Sequence, residues 1–296
     1  RDTWRQMVEL GWAGITVPED FGGLGFGYMG LGVVMEECGR TLTASPLFGT
    51  GVLGTSAILH GGTQEQKTEL LGQVVGGELL LALALEETPH HNPYGASSTA
   101  EKSGDDYKVT GNKKFVIDGH VADKLVVVAR SSGNVGDRDG ITLVLVDREA
   151  SGVSVTRTIM ADSRNAANIE FTGAKGVLLG EEGKGSDVLD KVLDTGRILL
   201  AAEMLGSIQE CFERTIEYLK TREQFGVPIG SFQALKHRAA QMFCEVELSK
   251  SVVLEALSAL DEDSDQVAEL ASLAKTRLND TYNLVSSEGV QMHGGI

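Results

Sequence analysis

Tyr107-Lys-Val-Thr-Gly, Lys114-Phe-Val-Ile-Asp, Lys124-Leu-Val-Val-Val-Ala, Ile141-Thr-Leu-Val-Leu-Val and Val153-Ser-Val-Thr follow one another in the middle of the chain. Each is short and rich in β-branched residues, and Gly, Asp and Ser separate them at intervals of roughly ten residues, the spacing of a sandwich or barrel. No helical stretch alternates with them, which argues against a doubly wound parallel sheet. The apolar run Leu79 to Leu85 leads into this region. Downstream the period changes to 3.6. Stretches from about Ser186 to Arg222, from Phe232 to Leu260 and from about Asp265 to Val290 read as three long helices, of the kind that pack in bundles commonly of four. Upstream, Trp4, Met7 and Val8 share a helical face, Met29 to Cys38 repeats apolar residues at helical spacing, and Thr63 stands as an N-cap before Gln64-Glu-Gln.

The expected architecture is therefore α+β. A helical N-terminal domain spans residues 1–80, an antiparallel β domain 81–182, and a C-terminal helical bundle 183–296. The first helix opens at Arg1 inside its apolar face. The last ends in Gly294-Gly295-Ile296. The reading is of a first domain without its start and a bundle without its fourth helix.

Composition narrows the function. The chain has 296 residues, with 26 basic and 42 acidic side chains and a net charge of −16. Such acidity disfavours nucleic acid and membrane surfaces, so an anionic ligand needs a local cluster of donors. No apolar run approaches the roughly 20 residues of a membrane span. Three separated cysteines, Cys38, Cys211 and Cys244, fit neither a disulfide framework nor a zinc site. They read as reduced core thiols in a cytoplasmic protein.

Several motifs carry less than they promise. Gly25-Phe-Gly27-Tyr-Met-Gly30 matches G-x-G-x-x-G, but no strand precedes it, and the acid due about 20 residues later falls in Leu47-Phe-Gly-Thr-Gly. It reads as a loop. His90-His91 lacks metal-ligand spacing and reads as a solvated turn. His60, His120, His237 and His293 have no triad partner by spacing, and no G-x-S-x-G occurs. Arg222 and Phe225, at the end of a long helix, are ordinarily charge compensation and packing. Chemically, Arg222 could grip a pyrophosphate bidentately and Phe225 could pack on a flat heterocycle. Gln291-Met-His-Gly294-Gly295 adds an amide and accessible backbone N–H groups.

Taken in order, Val17-Pro-Glu-Asp-Phe-Gly-Gly-Leu-Gly, Gly62-Thr-Gln-Glu-Gln-Lys, Leu178-Leu-Gly-Glu-Glu-Gly-Lys-Gly, Arg222-Glu-Gln-Phe-Gly and Gln291-Met-His-Gly-Gly resemble five motifs of the acyl-CoA dehydrogenases, across essentially the whole chain. The resemblance implies FAD as cofactor, an acyl-CoA substrate, electron-transfer flavoprotein or a similar acceptor as partner, and assembly as a homo- or hetero-oligomer. It implies a flavin ring set against the β domain, at Leu85, Glu87, Phe115 and Ile117. It further implies that Arg222, Gln224, Phe225, Ile229, Phe232, Gln233, Leu235, Gln291, Gly294 and Gly295 hold the FAD of a neighbouring subunit. Asp194 and Arg197 fall where the family contacts substrate. The family chemistry needs a carboxylate to take an α-proton, flavin N5 to accept the β-hydride, and hydrogen bonds to the thioester carbonyl.

The sequence departs from the pattern at three places. Gly196, in Leu193-Asp-Thr-Gly-Arg197, occupies one of the two family positions for the base, and the other position is expected beyond Ile296. Glu86-Glu87-Thr-Pro-His-His-Asn-Pro replaces TEPGAGSD, putting Glu86 where a family threonine approaches the flavin pyrimidine. Phe115-Val116-Ile117 replaces Trp-Ile-Thr, so Ile117 offers no hydroxyl to N5. Gly196 is also expected to open space beside the substrate. Some family members, including ones acting on steroid side chains, are α2β2 heteromers whose subunits divide the site. The alternatives to an active dehydrogenase are a structural subunit that completes a partner's FAD site, and an acyl-CoA oxidase-like flavoprotein.

Overall fold

The computed structural model describes residues 2–162 and 164–294. Contacts divide the chain into two compact units, one of residues 1–26 and 44–196, the other of residues 27–43 and 197–296.

In the first unit, α1 (Asp2–Glu9) buries Trp4 and Met7, as their spacing predicts. Helix α2 (Gly27–Arg40) belongs to the second unit. A π-helical turn at Leu47–Gly54, every residue of it buried, leads into α3 (Thr55–Gly61) and α4 (Gln64–Val75). The predicted cap on α4 is a full capping box: Gln66 N–H donates to the Thr63 hydroxyl at 3.3 Å, and Thr63 N–H donates to the Gln66 side chain at 3.0 Å. Two otherwise orphaned donors are thereby satisfied.

Seven strands follow: β1 (Leu81–Ala84), β2 (Thr99–Ser103), β3 (Asp106–Ile117), β4 (Lys124–Arg130), β5 (Ile141–Asp147), β6 (Val153–Ile159) and β7 (Asn165–Leu179). Pairing runs β4–β2–β3–β7–β5 and returns from β5 to β4, closing a small barrel; β1 adds to β4 and β6 to β7. All pairs are antiparallel except β1 and β2 against β4. Val109, Val116, Leu125, Val127, Ile169 and Phe171 belong to its core. Strand β4 is buried from Leu125 onward and β5 from Ile141 to Val146, which is why both read as unbroken apolar runs.

The segments beginning at Tyr107 and Lys114 are one strand rather than two. Gly111, which reads as a separator, sits at a register shift with φ +147°, against the Ser98 side chain. It is a bulge, and only glycine fits there. Strands β2 and β7 give no signal in the sequence. Of β2 only Ala100 is buried, and β7 opens with Asn-Ala-Ala-Asn and carries Gly173 and Gly176.

The second unit holds α2, most of α5 (Gly185–Thr221), a hairpin of β8 (Glu223–Gln224) and β9 (Val227–Pro228), α6 (Gln233–Asp261) and α7 (Val267–Met292). The three long helices lie within a few residues of their predicted bounds. Helices α2 and α5 approach closely because Gly39 rests on the Glu203 carbonyl and Gly206 on the Glu36 carbonyl. The Gly25–Gly30 stretch is partly helical rather than a loop: α2 starts at Gly27. Its first free donors, Tyr28 N–H and Met29 N–H, go to the Asp261 carboxylate at 2.5 and 2.9 Å. An acid at this helix end excludes a phosphate, as the broken fingerprint predicts.

Of the cysteines, Cys38 is buried and Cys211 partly so, but Cys244 is exposed on α6, so the expectation of three core thiols fails for Cys244. Among the described residues no helix is long and apolar enough to cross a membrane.

Candidate functional site

In the first unit, β3 carries a second irregularity between Lys113 and Val116. Here Phe115 adopts φ +50° and stands 47% exposed, its N–H donating to Asn168 Oδ1 at 3.2 Å. A bulky aromatic in the left-handed region is strained, and a bulge re-aims the side chain it carries. Ile117, also exposed, lies two residues on. The outer face of β3, β6 and β7 forms a cleft of about 500 Å3 lined with polar groups, among them Asn112, Lys114, Ser154, Thr156 and Asn168.

Behind Phe115 the chain turns inward. Lys113, fully buried, donates from Nζ to the Leu85 carbonyl at 3.0 Å and to Glu87 at 2.7 Å. Glu87 also accepts from Ser97 N–H at 2.8 Å, the Ser97 hydroxyl at 2.5 Å and Ser98 N–H at 3.0 Å. Burial pushes the Glu87 carboxyl up, but the Lys113 charge and these donors outweigh it and hold the group at about 2. Burial lowers the Lys113 ammonium from its usual value, with Glu87 opposing. Leu85 and Glu87, both expected at the flavin, therefore direct their carbonyl and carboxylate to Lys113.

Glu86 points elsewhere. Its carboxylate meets His91 Nδ1 at 2.6 Å and accepts from Asn92 N–H at 3.1 Å, while its carbonyl accepts from Lys114 N–H at 2.7 Å. Buried Arg130 donates to the carbonyls of Tyr94, Ala96, Ser132, Asp137 and Asp139 at 2.8–3.3 Å. That guanidinium fastens the loop carrying Glu86 to the loop after β4. The Tyr94 hydroxyl donates to Asp190 at 2.5 Å, and Arg138 bonds both. The replacement for TEPGAGSD is thus a densely bonded loop. Next to Ile117, Asp118 takes φ +57°, and burial pushes its carboxyl up to about 7 against the pull of Arg164.

In the second unit, the β8–β9 hairpin presents Phe225 at φ +57° and 91% exposed, edge-on to Phe232 with centroids 6.0 Å apart. The Arg222 carbonyl accepts from Ile229 N–H at 2.8 Å, which closes the hairpin. Arg222, Gln224 and Gln233 are on the surface, and Ile229 and Leu235 are half-buried. His293 stacks on Tyr218 at 4.2 Å, which brings the end of α7, with Gln291 and Gly294, beside the last turn of α5. Gly295 lies outside the described residues.

Gly196 is buried in α5, and a Cβ there would meet Leu53 Cδ2 at 2.7 Å. Leu53 fills the room that Gly196 is expected to open. Asp194 and Arg197 are half-buried on the same helix and both are engaged in polar or charged interactions. Among the described residues no group of three His, Cys, Asp or Glu could hold a metal. Sequence reasoning missed Lys113–Glu87, Arg130, Asp118 and Glu86–His91. One signal was available: Lys113 occurs on β3 where the two-residue period calls for a buried side chain.

Family models for the acyl-CoA dehydrogenase N-terminal, middle and C-terminal domains match residues 1–78, 84–173 and 183–296. The chain is 31% identical over 299 residues to the caffeyl-CoA reductase-Etf complex subunit CarC of Acetobacterium woodii, covering 98% of this chain and 78% of that one. Its structure is similar to butyryl-CoA dehydrogenase from Megasphaera elsdenii, with a TM-score of 0.92, 27% identity, and coverage of 100% of this chain and 80% of that one. A variant of the Tcur3481-Tcur3483 steroid ACAD is similar at TM-score 0.88 and 34% identity, covering 99% of this chain and 77% of that one.

Proposed function

The chain belongs to the acyl-CoA dehydrogenase family, and on that premise we propose that it binds FAD at a subunit interface, one half of each site coming from the β domain and the other from the hairpin of a neighbouring subunit. As an acyl-CoA dehydrogenase it is an oxidoreductase acting on CH–CH bonds, in the direction of α,β-desaturation of an acyl-CoA thioester. FAD, when bound, supplies the hydride acceptor. Phe115 offers the ring a face to stack on, and the polar cleft beside it can hydrate or bond the cofactor's hydroxyls. Ile117 gives no hydroxyl. Arg222 and the Gln291 side chain suit the pyrophosphate and adenosine of a neighbour's FAD, whereas the Gly294 N–H is already donated to the Gln291 carbonyl at 3.1 Å.

The observation that carries this reading is Phe225. A 91% exposed aromatic held at φ +57° is costly twice over, through its backbone and through its exposed apolar surface. A ligand or partner that covers it offsets both. The relatives' names make an electron-transfer flavoprotein the fitting acceptor, since CarC is named for an Etf complex. Gly196 is not the proton-abstracting base, and Leu53 occupies the space into which a side chain there would project. The same observation favours a second reading, a non-catalytic subunit that completes a partner's FAD site.

The test is the visible spectrum of the purified chain with added FAD. Bound flavin near one per subunit is expected. Arg222→Ala removes charged hydrogen bonds worth about 1.5–3 kcal/mol, so FAD affinity should fall roughly 10- to 100-fold with the melting temperature little changed. Undiminished FAD binding in Arg222→Ala and in Phe225→Ala would overturn the assignment of that half. A folded chain that binds no FAD alone but does so with a related subunit would select the second reading.

A further inference from the structure

We propose that the Asp118 carboxyl is a proton-operated latch: protonated, it seats the buried turn Leu47–Gly54 just past the end of β3, and ionised, it releases that turn and the Leu53 side chain that the turn holds on Gly196. The latch needs no cofactor. Backbone bonds fix Asp118 in place. Its N–H donates to the Asn165 carbonyl at 3.0 Å, and its own carbonyl accepts from Val121 and Ala122 N–H at 2.9 and 3.0 Å. The residue is held at φ +57° and is only 6% exposed. Its carboxyl lies on Gly49: a Cβ there would stand 2.9 Å from Asp118 Oδ2 and 3.4 Å from the Leu81 carbonyl oxygen. Gly49 belongs to the π-helical turn, whose eight residues are all buried. Thr50, next in the turn, docks it on β1, its hydroxyl donating to the Leu81 carbonyl at 3.2 Å and accepting from Leu81 N–H at 3.0 Å. A charge on Asp118 Oδ2 therefore arises against a packed turn, with little water to solvate it.

The same turn reaches α5. A Cβ on Gly196 would meet Leu53 Cδ2 at 2.7 Å and Phe48 Cζ at 3.9 Å. Three of the eight residues of the turn are glycine, so its backbone can rearrange once its seat is lost. Neither the turn nor β1 carries an ionisable side chain. On the loop after β3, the Asp123 carboxylate accepts from Leu80 N–H at 2.8 Å. On the same loop, burial together with Arg157 and Arg148 keeps His120 below its ordinary value, so it is uncharged where Asp118 titrates. Just before β7, Arg164 pulls the Asp118 carboxyl toward its ionised form, but burial outweighs that pull and holds the group at about 7. A latch set there opens across the neutral range.

Hydrogen exchange, expressed as protection relative to the free-peptide rate at each pH, reads the turn directly. In the wild-type chain, protection over residues 47–54 should fall about tenfold between about pH 6 and about pH 8 and level off above, while residues 242–257 of α6 keep theirs. That is the linkage expected when a carboxyl held at about 7 in the closed turn returns to its ordinary 3.8 in the open one. Asp118→Asn tolerates the left-handed backbone and cannot ionise, so its protection should be the same at both pH values. Arg164→Gln removes the charge that favours ionisation, so release should move to higher pH, a shift that loosened packing alone does not produce. A loss of protection that persists in Asp118→Asn, or that is equal over residues 242–257, would overturn the latch. So would protection over 47–54 that does not change with pH. If Asp118→Asn does not fold, an unshifted release in Arg164→Gln overturns the latch by itself.

Discussion

The carboxyls of Asp118 and Glu87 are displaced in opposite directions. Asp118 is pushed from its ordinary 3.8 up to about 7 by burial, so folding favours its protonated form. Its contribution to stability is full below the unfolded value and is lost as pH rises through about 7. Glu87 is held at about 2 against an ordinary 4.5, so its contribution is present above 4.5 and is lost as pH falls toward 2. Asp118→Asn should therefore raise the melting temperature at about pH 8 and change it much less at about pH 4, since asparagine tolerates the left-handed φ and cannot ionise. Equal shifts at both pH values would mean that the carboxyl does not titrate in the fold. Lys113→Met leaves the Glu87 carboxylate largely buried without its cation, and breaking a buried pair in this way costs about 3–5 kcal/mol. Chemical denaturation checks it. A small loss would mean that Ser97 and Ser98 suffice for Glu87.

Among elements, the close crossing of α2 and α5 depends on two glycines, each facing the other helix's backbone. Backbone cannot rotate away as a side chain can. Gly206→Ala should cost about 1–3 kcal/mol or more in denaturant unfolding, the range for overpacking. Thr63→Ala, by contrast, removes one capping partner of α4 and should cost about 1 kcal/mol. If both substitutions cost the same, the crossing is looser than the glycines indicate. Elements also differ in how openly the sequence announces them. Helices α5, α6 and α7 repeat apolar residues over many turns, and β4 and β5 are unbroken apolar runs, so their periods speak for themselves. Strand β2 holds its place through ladder bonds to β3 with mostly polar side chains, and a ladder bond is made by backbone that every residue type shares.

At the scale of the whole molecule, the expected site is divided between subunits, and the division can be tested without knowing the substrate. Phe115→Ala impairs one half and Arg222→Ala the other. Mixed oligomers of the two variants should recover the FAD affinity that each has lost alone, because one interface in each then joins two intact halves. Absence of recovery after subunit exchange would place both halves in one chain. The motifs around Arg222 and Gln291 were legible because they are contiguous and sit at helix ends. His293 on Tyr218, which puts those ends side by side, was not.

Period and punctuation are local properties, set by backbone geometry over a few residues. The α+β class, the long helices, the N-cap at Thr63 and most of the strands could therefore be read from residue types alone. Resemblance added the family and the likeness of the hairpin to an FAD motif. Pairing across the fold obeys no local rule. Lys113 meets Glu87 across 26 residues and Arg130 meets Ala96 across 34, at distances that depend on two bulges in β3 and on the register of β4. The filling of Gly196 by Leu53, the exposure of Cys244 and the joining of Glu86 to His91 arise in the same way. Folding determined them because burying a polar or apolar group selects its partner by proximity and desolvation, and neither quantity exists until the chain is packed.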